Sequence, residues 1–425
     1  MEKLQYVGTD EALKKAMASV SVKPKVETIP VGIDAYRRVC ASNIVSPTDI
    51  PEANVSHLDG YSVKAKDTAN ASLKNPVRLK IAGKVFLTDR TRYRAKPMES
   101  YYTPTGAPLP KGTDSLIPIE LVSIIKGNTL EINRKINFGE HIVFKGMDFK
   151  KGEVVFKKGR VLKAQDIGFL AALKIREINV FRKPRVAIIP VGDELTDVID
   201  DEKKVVASHA LMVSRFVSEA GGIPLKLAVA RDNLNEIRSR IRSASKKADL
   251  IATIGGSSVG ERDFVPDAID SMKEARMIIR RIKIKPGRVS GFAVTKGKPI
   301  ALLPGLVQST IIGFYHFVLP FLLIMSGRNL QTFLKPAITA KMSREVKFRK
   351  KIPIRKATFV KLKITDAGLI AEPYFGTSSF MSTVVRADAF VITPENKSVI
   401  KENETVRVHL LPGFTVPETI IDQET

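Results

Sequence analysis

From residue 185 to residue 325, short apolar runs rich in β-branched side chains alternate with stretches whose apolar positions recur at helical spacing. The runs at 185–190, 225–229, 250–254, 277–285 and 299–303 read as strands, and 209–220, 234–245 and 309–325 read as helices. Strands alternating with helices predict a doubly wound parallel sheet, whose ligands sit at the carboxyl ends of its strands. Before this region, 10–20, 34–41 and 164–173 have helical spacing, and between 77 and 132 the runs 77–81, 85–87, 115–119, 122–125 and 130–132 predict a small β-rich insertion. After the linker Gly327-Arg328-Asn329, β-like runs at 358–364, 389–392 and 405–410 predict a small C-terminal β-barrel or sandwich. The fold class is therefore multidomain α/β. Its segments are 1–50 with 140–182, then 51–139, 183–329 and 330–425.

Composition narrows the chemistry. One cysteine, Cys40, excludes an internal disulfide and any zinc site built from several thiolates. The histidines at 57, 141, 209, 316 and 409 show no metal-ligand spacing, so a metal here would be a hard cation held by carboxylates. The first residues lack the apolar core of a signal peptide. The longest apolar stretch, 311–325, contains His316 and Pro320 and is too short to span a bilayer, so a cytoplasmic protein without a membrane partner is expected. Lys and Arg number 69 against 44 Asp and Glu, a formal charge of +25, which favours anionic partners. The acidic residues nevertheless fall in the loops that look functional.

Those loops follow the predicted strands. After 250–254 come Gly255-Gly256-Ser257-Ser258-Val259-Gly260-Glu261-Arg262-Asp263, small residues whose amides could cradle an anion, closed by a carboxylate that suits a divalent cation between anions. For such a loop on its own, a plain strand-to-helix connection is the favoured reading. Val191-Gly192-Asp193-Glu194-Leu195 follows 185–190, and Arg231-Asp232-Asn233 follows 225–229. In the N-terminal half, Ser56-His57-Leu58-Asp59-Gly60-Tyr61-Ser62 reads as a turn and strand start, Thr105–Pro110 as a rigid loop, and Gly146-Met147-Asp148 as a turn with an acidic centre.

Together these motifs, in this order and over nearly the whole chain, resemble the molybdopterin molybdenumtransferase family, which includes the E domain of gephyrin. The family's Ser-x-x-Asp-Gly-Tyr-Ala motif is met at Ser56 to Ser62, its Thr-Gly-Ala-x-x-Pro loop at Thr105 to Pro110, and its Gly-x-Asp centre at Gly146 to Asp148. Its Thr-Gly-Asp-Glu-Leu loop is met at Val191 to Leu195, its Gly-Gly-x-Ser-x-Gly-x-x-Asp loop at Gly255 to Asp263, and its Lys-Pro-Gly segment at Arg281 to Gly287. The resemblance implies insertion of molybdate or tungstate into adenylated molybdopterin with release of AMP, and a requirement for Mg2+. It also implies an elongated four-domain subunit in a homodimer, joined through 1–50 with 140–182, with the adenylating enzyme as a further partner. Asp59, Thr105, Asp148, Glu194, Asp232 and Asp263 would be catalytic, and Glu194, Asp232 and Asp263 would hold the metal. Gly255, Gly256, Ser257, Ser258, Gly260, Arg281, Lys285, Arg288, Pro304, Gly305 and Ser378 would bind substrate.

Three departures stand out. The family's Pro-Gly-Lys-Pro is Pro286-Gly287-Arg288-Val289 here, its Leu-Pro-Gly-Asn-Pro-Val-Ser is Leu303-Pro304-Gly305-Leu306-Val307-Gln308-Ser309, and Val191 replaces a hydroxyl residue. A rival reading is a binding protein for an acidic partner or nucleic acid, supported by ten basic residues against one acidic in 341–363. Because those charges alternate with apolar positions, a solvated barrel face is favoured and nucleic acid is not expected as a partner.

Overall fold

The computed structural model describes residues 6–89, 92–125, 128–256, 264–330, 338–348, 353–366 and 368–411. The chain forms two compact units. One holds the segment up to Thr28, Arg37–Ala41 and everything from Asn179 onward; the other holds Ile29–Tyr36 and Ser42–Ile178.

In the larger unit a six-stranded sheet runs in the order Ile223–Lys226, Arg185–Pro190, Leu250–Ile254, Lys298–Leu303, Gly291–Thr295, Ala275–Ile279. The first four strands are parallel. Side chains of successive strand residues point to opposite faces, and here both faces are buried. Val186, Ile188, Leu250, Ala252 and Leu303 pack with the helices Ser208–Glu219 and Val307–Met325. Ala187, Ile189, Ile251, Ile300 and Leu302 pack with Leu234–Lys247 and Phe264–Asp270 on the other side. That is the doubly wound arrangement.

Several expectations are corrected. The run 277–285 is not one strand: Ala275–Ile279 pairs antiparallel with Gly291–Thr295, a strand the pattern did not mark, and Ile284–Lys285 leaves the sheet altogether. The sheet is therefore mixed. Residues 34–41 give only a single turn, Ile33–Ala35, and 85–87 is not a strand. The grouping of 1–50 with 140–182 also gives way at its start. Helix Thr9–Ser19 buries Ala12 and Ala16 in the α/β core, and Val20 joins them. Val307–Met325 is a continuous 19-residue helix, long and apolar enough by composition to cross a bilayer, so length does not exclude a span. Its burial does the work instead: 83% of it lies inside the protein, with Phe314, Phe317 and Phe321 fully enclosed.

The C-terminal residues of this unit form a seven-stranded sheet. Thr405–Arg407 pairs with Thr339–Met342 at one end of the strand order, and His409–Leu410 pairs with Ala389–Thr393 at the other. Only Val408 separates these two segments, so the sheet closes on itself as a small barrel filled by Met342, Val360, Leu362, Ala371 and Val391. Ile284–Lys285 adds to the barrel as a parallel strand beside Arg355–Thr365.

The smaller unit is built on a six-stranded sheet ordered Ser115–Pro118, Gly60–Val63, Glu99–Thr103, Val77–Lys84, Thr129–Ile132, Ser123–Ile125. Tyr61, Val63, Leu79, Ile117, Leu130 and Ile132 make its core. Gly60 is a strand residue rather than part of a turn: a Cβ there would lie 2.0 Å from the Ile117 carbonyl oxygen.

Asp249 ties the edge of the α/β domain together. Its carboxylate accepts from Arg182 (2.7 Å to each oxygen), from the Arg185 amide (2.9 Å) and from Lys25 (3.4 Å). Burial pushes this carboxyl up, but the Arg185 amide, Arg182 and Lys25 outweigh it and hold it below its ordinary value. A depressed carboxyl stabilises the fold above its unfolded-state value, about 3.9, and loses that contribution as pH falls through the folded one. Asp249→Asn should cost about 1.5–3 kcal/mol in urea unfolding at neutral pH. At pH 3 the penalty should shrink; an equal loss at both pH values would remove the ion pair as its cause.

Candidate functional site

Every polar loop at the carboxyl edge of the parallel strands is positioned by main-chain bonds continuing the sheet. The Val191 amide donates to Ile254 O (2.8 Å), Gly192 N to Ala230 O (3.0 Å), and Gly255 N to Leu303 O (3.0 Å). Gly255 has φ +91, and a Cβ there would fall 2.4 Å from the Val191 carbonyl oxygen, so only glycine lets these two loops touch. Gly305 stands beside it: a Cβ on Gly305 would lie 3.7 Å from Gly255 Cα. Gly255 thus serves backbone approach. Its amide, expected to help cradle an anion, is already used by Leu303.

Asp193 and Asp232 are locked face to face. The Asp193 amide donates to Asp232 Oδ2 (3.3 Å) and the Asp232 amide to Asp193 Oδ1 (3.2 Å). Burial pushes the Asp232 carboxyl up, the Asp193 amide pulls it down, and the charges of Asp193 and Glu194 push it up again, leaving it above its ordinary value. Glu194 folds back over Gly192, where a Cβ would meet its carboxylate at 2.6 Å. Hard oxygens on adjacent loops, with unrelieved repulsion between them, suit a divalent cation. Among the described residues no group of three side chains is drawn together as a finished cage. Ser257, Ser258, Gly260 and Asp263 lie outside the described residues.

One residue beside the 304–306 turn carries no marker in the sequence. His209, in the first turn of Ser208–Glu219, is held below its ordinary value by burial, opposed by a hydrogen bond to the Gly305 backbone. A lone histidine on an amphipathic helix gives no signal of this in a sequence.

A cleft of about 540 Å3 opens between residues 285–288, the start of Val307–Met325 and the barrel. Lys285, Arg288, Lys347 and Lys356 line it, with Phe348, Tyr374, Phe375 and Ser378, and no carboxylate among the described residues joins them. The pairing of Ile284–Lys285 with the barrel sets Lys285 opposite Lys356. Burial, then the charges of Lys285 and Arg288, push the Lys356 ammonium below its ordinary value. Gln308 closes the wall, its amide donating to Ser378 O (3.2 Å) and its Nε2 to Thr377 O (2.9 Å). Thr310 Oγ1 donates to Pro304 O (2.7 Å), which fixes the 304–306 turn, and Leu306 stays 48% exposed. Arg281 is buried and is not among the residues lining this cleft.

In the smaller unit, Asp59 and Thr105 are brought together. The Thr105 amide (2.6 Å) and hydroxyl (2.7 Å) both donate to Asp59 Oδ1, and these two bonds hold the Asp59 carboxyl below its ordinary value. Asp148 is exposed on the 146–148 turn, its amide donating to Ile50 O (3.0 Å).

With this geometry in hand, comparison with known proteins is direct. The model of the MoeA N-terminal region (domains I and II) matches residues 7–173, that of the "Probable molybdopterin binding domain" 187–323, and that of the MoeA C-terminal region (domain IV) 344–411. The chain is 29% identical over 422 residues to the molybdopterin molybdenumtransferase of Bacillus subtilis, covering 97% of this chain and 95% of that one. It is 28% identical over 426 residues to its Staphylococcus aureus namesake, covering 99% of each. Among solved structures, a molybdopterin biosynthesis MoeA protein from Pyrococcus horikoshii superposes with a TM-score of 0.84 at 29% identity, over 96% of this chain and all of that one. Three successive domain models in one order, and relatives matched end to end, agree with the loops described above: the chain belongs to the MoeA family of molybdopterin molybdenumtransferases.

Proposed function

We propose that this transferase of molybdenum cofactor biosynthesis inserts molybdate, or tungstate, into adenylated molybdopterin and releases AMP, as a Mg2+-dependent cytoplasmic homodimer. The cationic cleft, with no carboxylate among its described lining residues, carries the reading. Molybdate and the phosphates of the substrate are anions, and Lys285, Arg288 and Lys356 concentrate positive charge around a pocket walled by Phe348, Tyr374 and Phe375, against which a pterin ring can lie. Ser378 offers a hydroxyl in the same wall. Pro304 and Gly305 shape the turn beside it.

The acidic loops do the complementary work. Glu194 and Asp232, with Asp263 from outside the described residues, are the side chains that would hold Mg2+. The ion, when bound, neutralises phosphate charge and polarises the phosphate that leaves with AMP. Asp193 keeps Asp232 in register through the reciprocal amide bonds. Asp59 fixes the Thr105 loop, and with Asp148 these residues would face the substrate from the partner subunit. Ile33, Phe138 and Met147 in their unit are 88%, 72% and 70% exposed, apolar surface that a second copy would cover.

Because Lys356 must be protonated to attract an oxyanion and its ammonium is depressed, molybdate affinity should fall with rising pH before ordinary lysines titrate. Lys356→Arg should flatten that profile, and Lys356→Ala should weaken binding about tenfold at neutral pH; calorimetric titration with molybdate checks both. Asp232→Ala should cut AMP release on the order of 100–1000-fold while leaving molybdate affinity intact. Mixing inactive Asp59→Ala with inactive Asp232→Ala chains should restore part of the activity, since one composite site regains both residues. No recovery in proven heterodimers would place both residues in one subunit's site. Leu306→Asn with Val307→Pro should tighten binding of adenylated molybdopterin by about 0.5–1.5 kcal/mol, the value of one side-chain hydrogen bond.

A further inference from the structure

Gln308 lines the cationic cleft, yet the chemistry proposed above makes no use of its side chain. It stands where the motif met at Leu303 to Ser309 has valine, and it is only 6% exposed. Burying a carboxamide in place of an isopropyl group costs free energy unless its polar atoms are matched. One of its two polar atoms is matched. Nε2 donates to Thr377 O (2.9 Å), and since a carbonyl can only accept, the amide is oriented with its nitrogen on Thr377. Oε1 accepts from no described residue. Nor is it sealed off, as the unpartnered hydroxyls of Thr253 and Ser290 are.

The position of this oxygen is fixed twice over. Leu306, the residue before the helix, offers no side-chain acceptor to cap it, and the Gln308 amide is matched instead by Ser378 O (3.2 Å). Both nitrogens of one residue therefore hold the 377–378 loop, which carries Ser378 into the cleft wall. The charged side chains of the same wall, Lys285, Arg288, Lys347 and Lys356, offer only donors, which suit oxyanions. An N–H group entering the cleft needs a neutral acceptor, and Gln308 Oε1 is one already held in place.

We propose that Gln308 Oε1 reads an N–H group of the pterin ring, its ring amide or its exocyclic amino group, and is a specificity-determining residue of this chain. The inference rests on the reading of the cleft given above. Adenine carries an amino group too, but on that reading the adenylate phosphate lies with the metal at the acidic loops. The pterin lies beside the cations that attract molybdate, because its dithiolene sulfurs receive the metal. Of the two rings, the pterin is therefore the one whose donors reach Gln308.

Calorimetric titration of the full chain with adenylated molybdopterin, AMP and molybdate in turn tests this. The variants are Gln308→Met, which keeps the side-chain length, and Gln308→Val, which restores the residue of the motif. Both should bind adenylated molybdopterin about three- to tenfold more weakly, the worth of one hydrogen bond, with AMP and molybdate affinities unchanged. A residue that only props the 377–378 loop would move molybdate as well, because Ser378 and Lys356 share that wall. Equal weakening of all three ligands would overturn the proposal. So would a fall in AMP affinity, which would put the oxygen on adenine, or adenylated molybdopterin binding that neither variant alters. Lys356→Ala separates this inference from the reading beneath it. If that variant weakens molybdate binding while both Gln308 variants are silent, the inference fails and the cationic cleft stands; if it changes nothing, the cleft falls and the inference with it.

Discussion

A strand covered on both faces has no room for a polar side chain along its length, because an unpaired polar group there would be stripped of water without compensation. Arg185–Pro190 and Leu250–Ile254 are in this position, and their interior residues are almost wholly apolar. Chemistry is therefore displaced to the strand ends, and parallel pairing puts those ends at one edge. The loops at Val191, Asp232, Gly255 and Pro304 are neighbours for that reason, although up to 113 residues separate them in the chain. Their fine positions come from the same ladder, extended one or two bonds past each strand.

Sign separation is the second organising feature. A carboxylate inside the Lys285–Arg288–Lys356 cleft would pair with the cations and compete with an incoming oxyanion. The acidic side chains instead collect on the loops of Asp193, Glu194 and Asp232, where burial first, and then the charges of Asp193 and Glu194, raise Asp232. Each cluster is uncomfortable alone. On the proposed reading, each would become favourable when its counter-charge arrives.

The parallel strands and their terminal loops were legible because both-face burial leaves continuous apolar runs, and because glycine and aspartate mark the turns. Acidic and glycine motifs were legible as a set. What escaped depended on distant pairing. Gly291–Thr295 carries little strand signature between Lys285-Pro286-Gly287 and Lys296-Gly297, and it exists because two neighbours hydrogen-bond to it. Lys356 and Phe375 gave no sign of a site, since the cleft is made only when Ile284–Lys285 joins the barrel. Ser378, which the resemblance did supply, lies in its wall. The basic stretch 341–363 looked like one face, yet its members diverge. Lys356 enters the cleft, Arg355 pairs with Asp10, and Lys363 with Glu372. Helix Val307–Met325 shows the opposite failure, since hydropathy alone cannot tell a bilayer from a protein core.

The strand Ile284–Lys285 reaches from the α/β domain into the barrel's sheet, and Arg355 N donates to Lys283 O (3.0 Å) at the same junction. Two domains joined in this way share a backbone ladder, so swinging one away from the other would break main-chain hydrogen bonds rather than slide a wet interface. The width of the cleft is accordingly built in before any anion arrives. Anion capture there, as proposed, would need no clamshell closure, and little conformational entropy would be lost on ordering its walls. On the reading proposed above, such a cleft would take up tetrahedral oxyanions of similar size alike, and selection among them would fall to the step that joins the metal to the pterin.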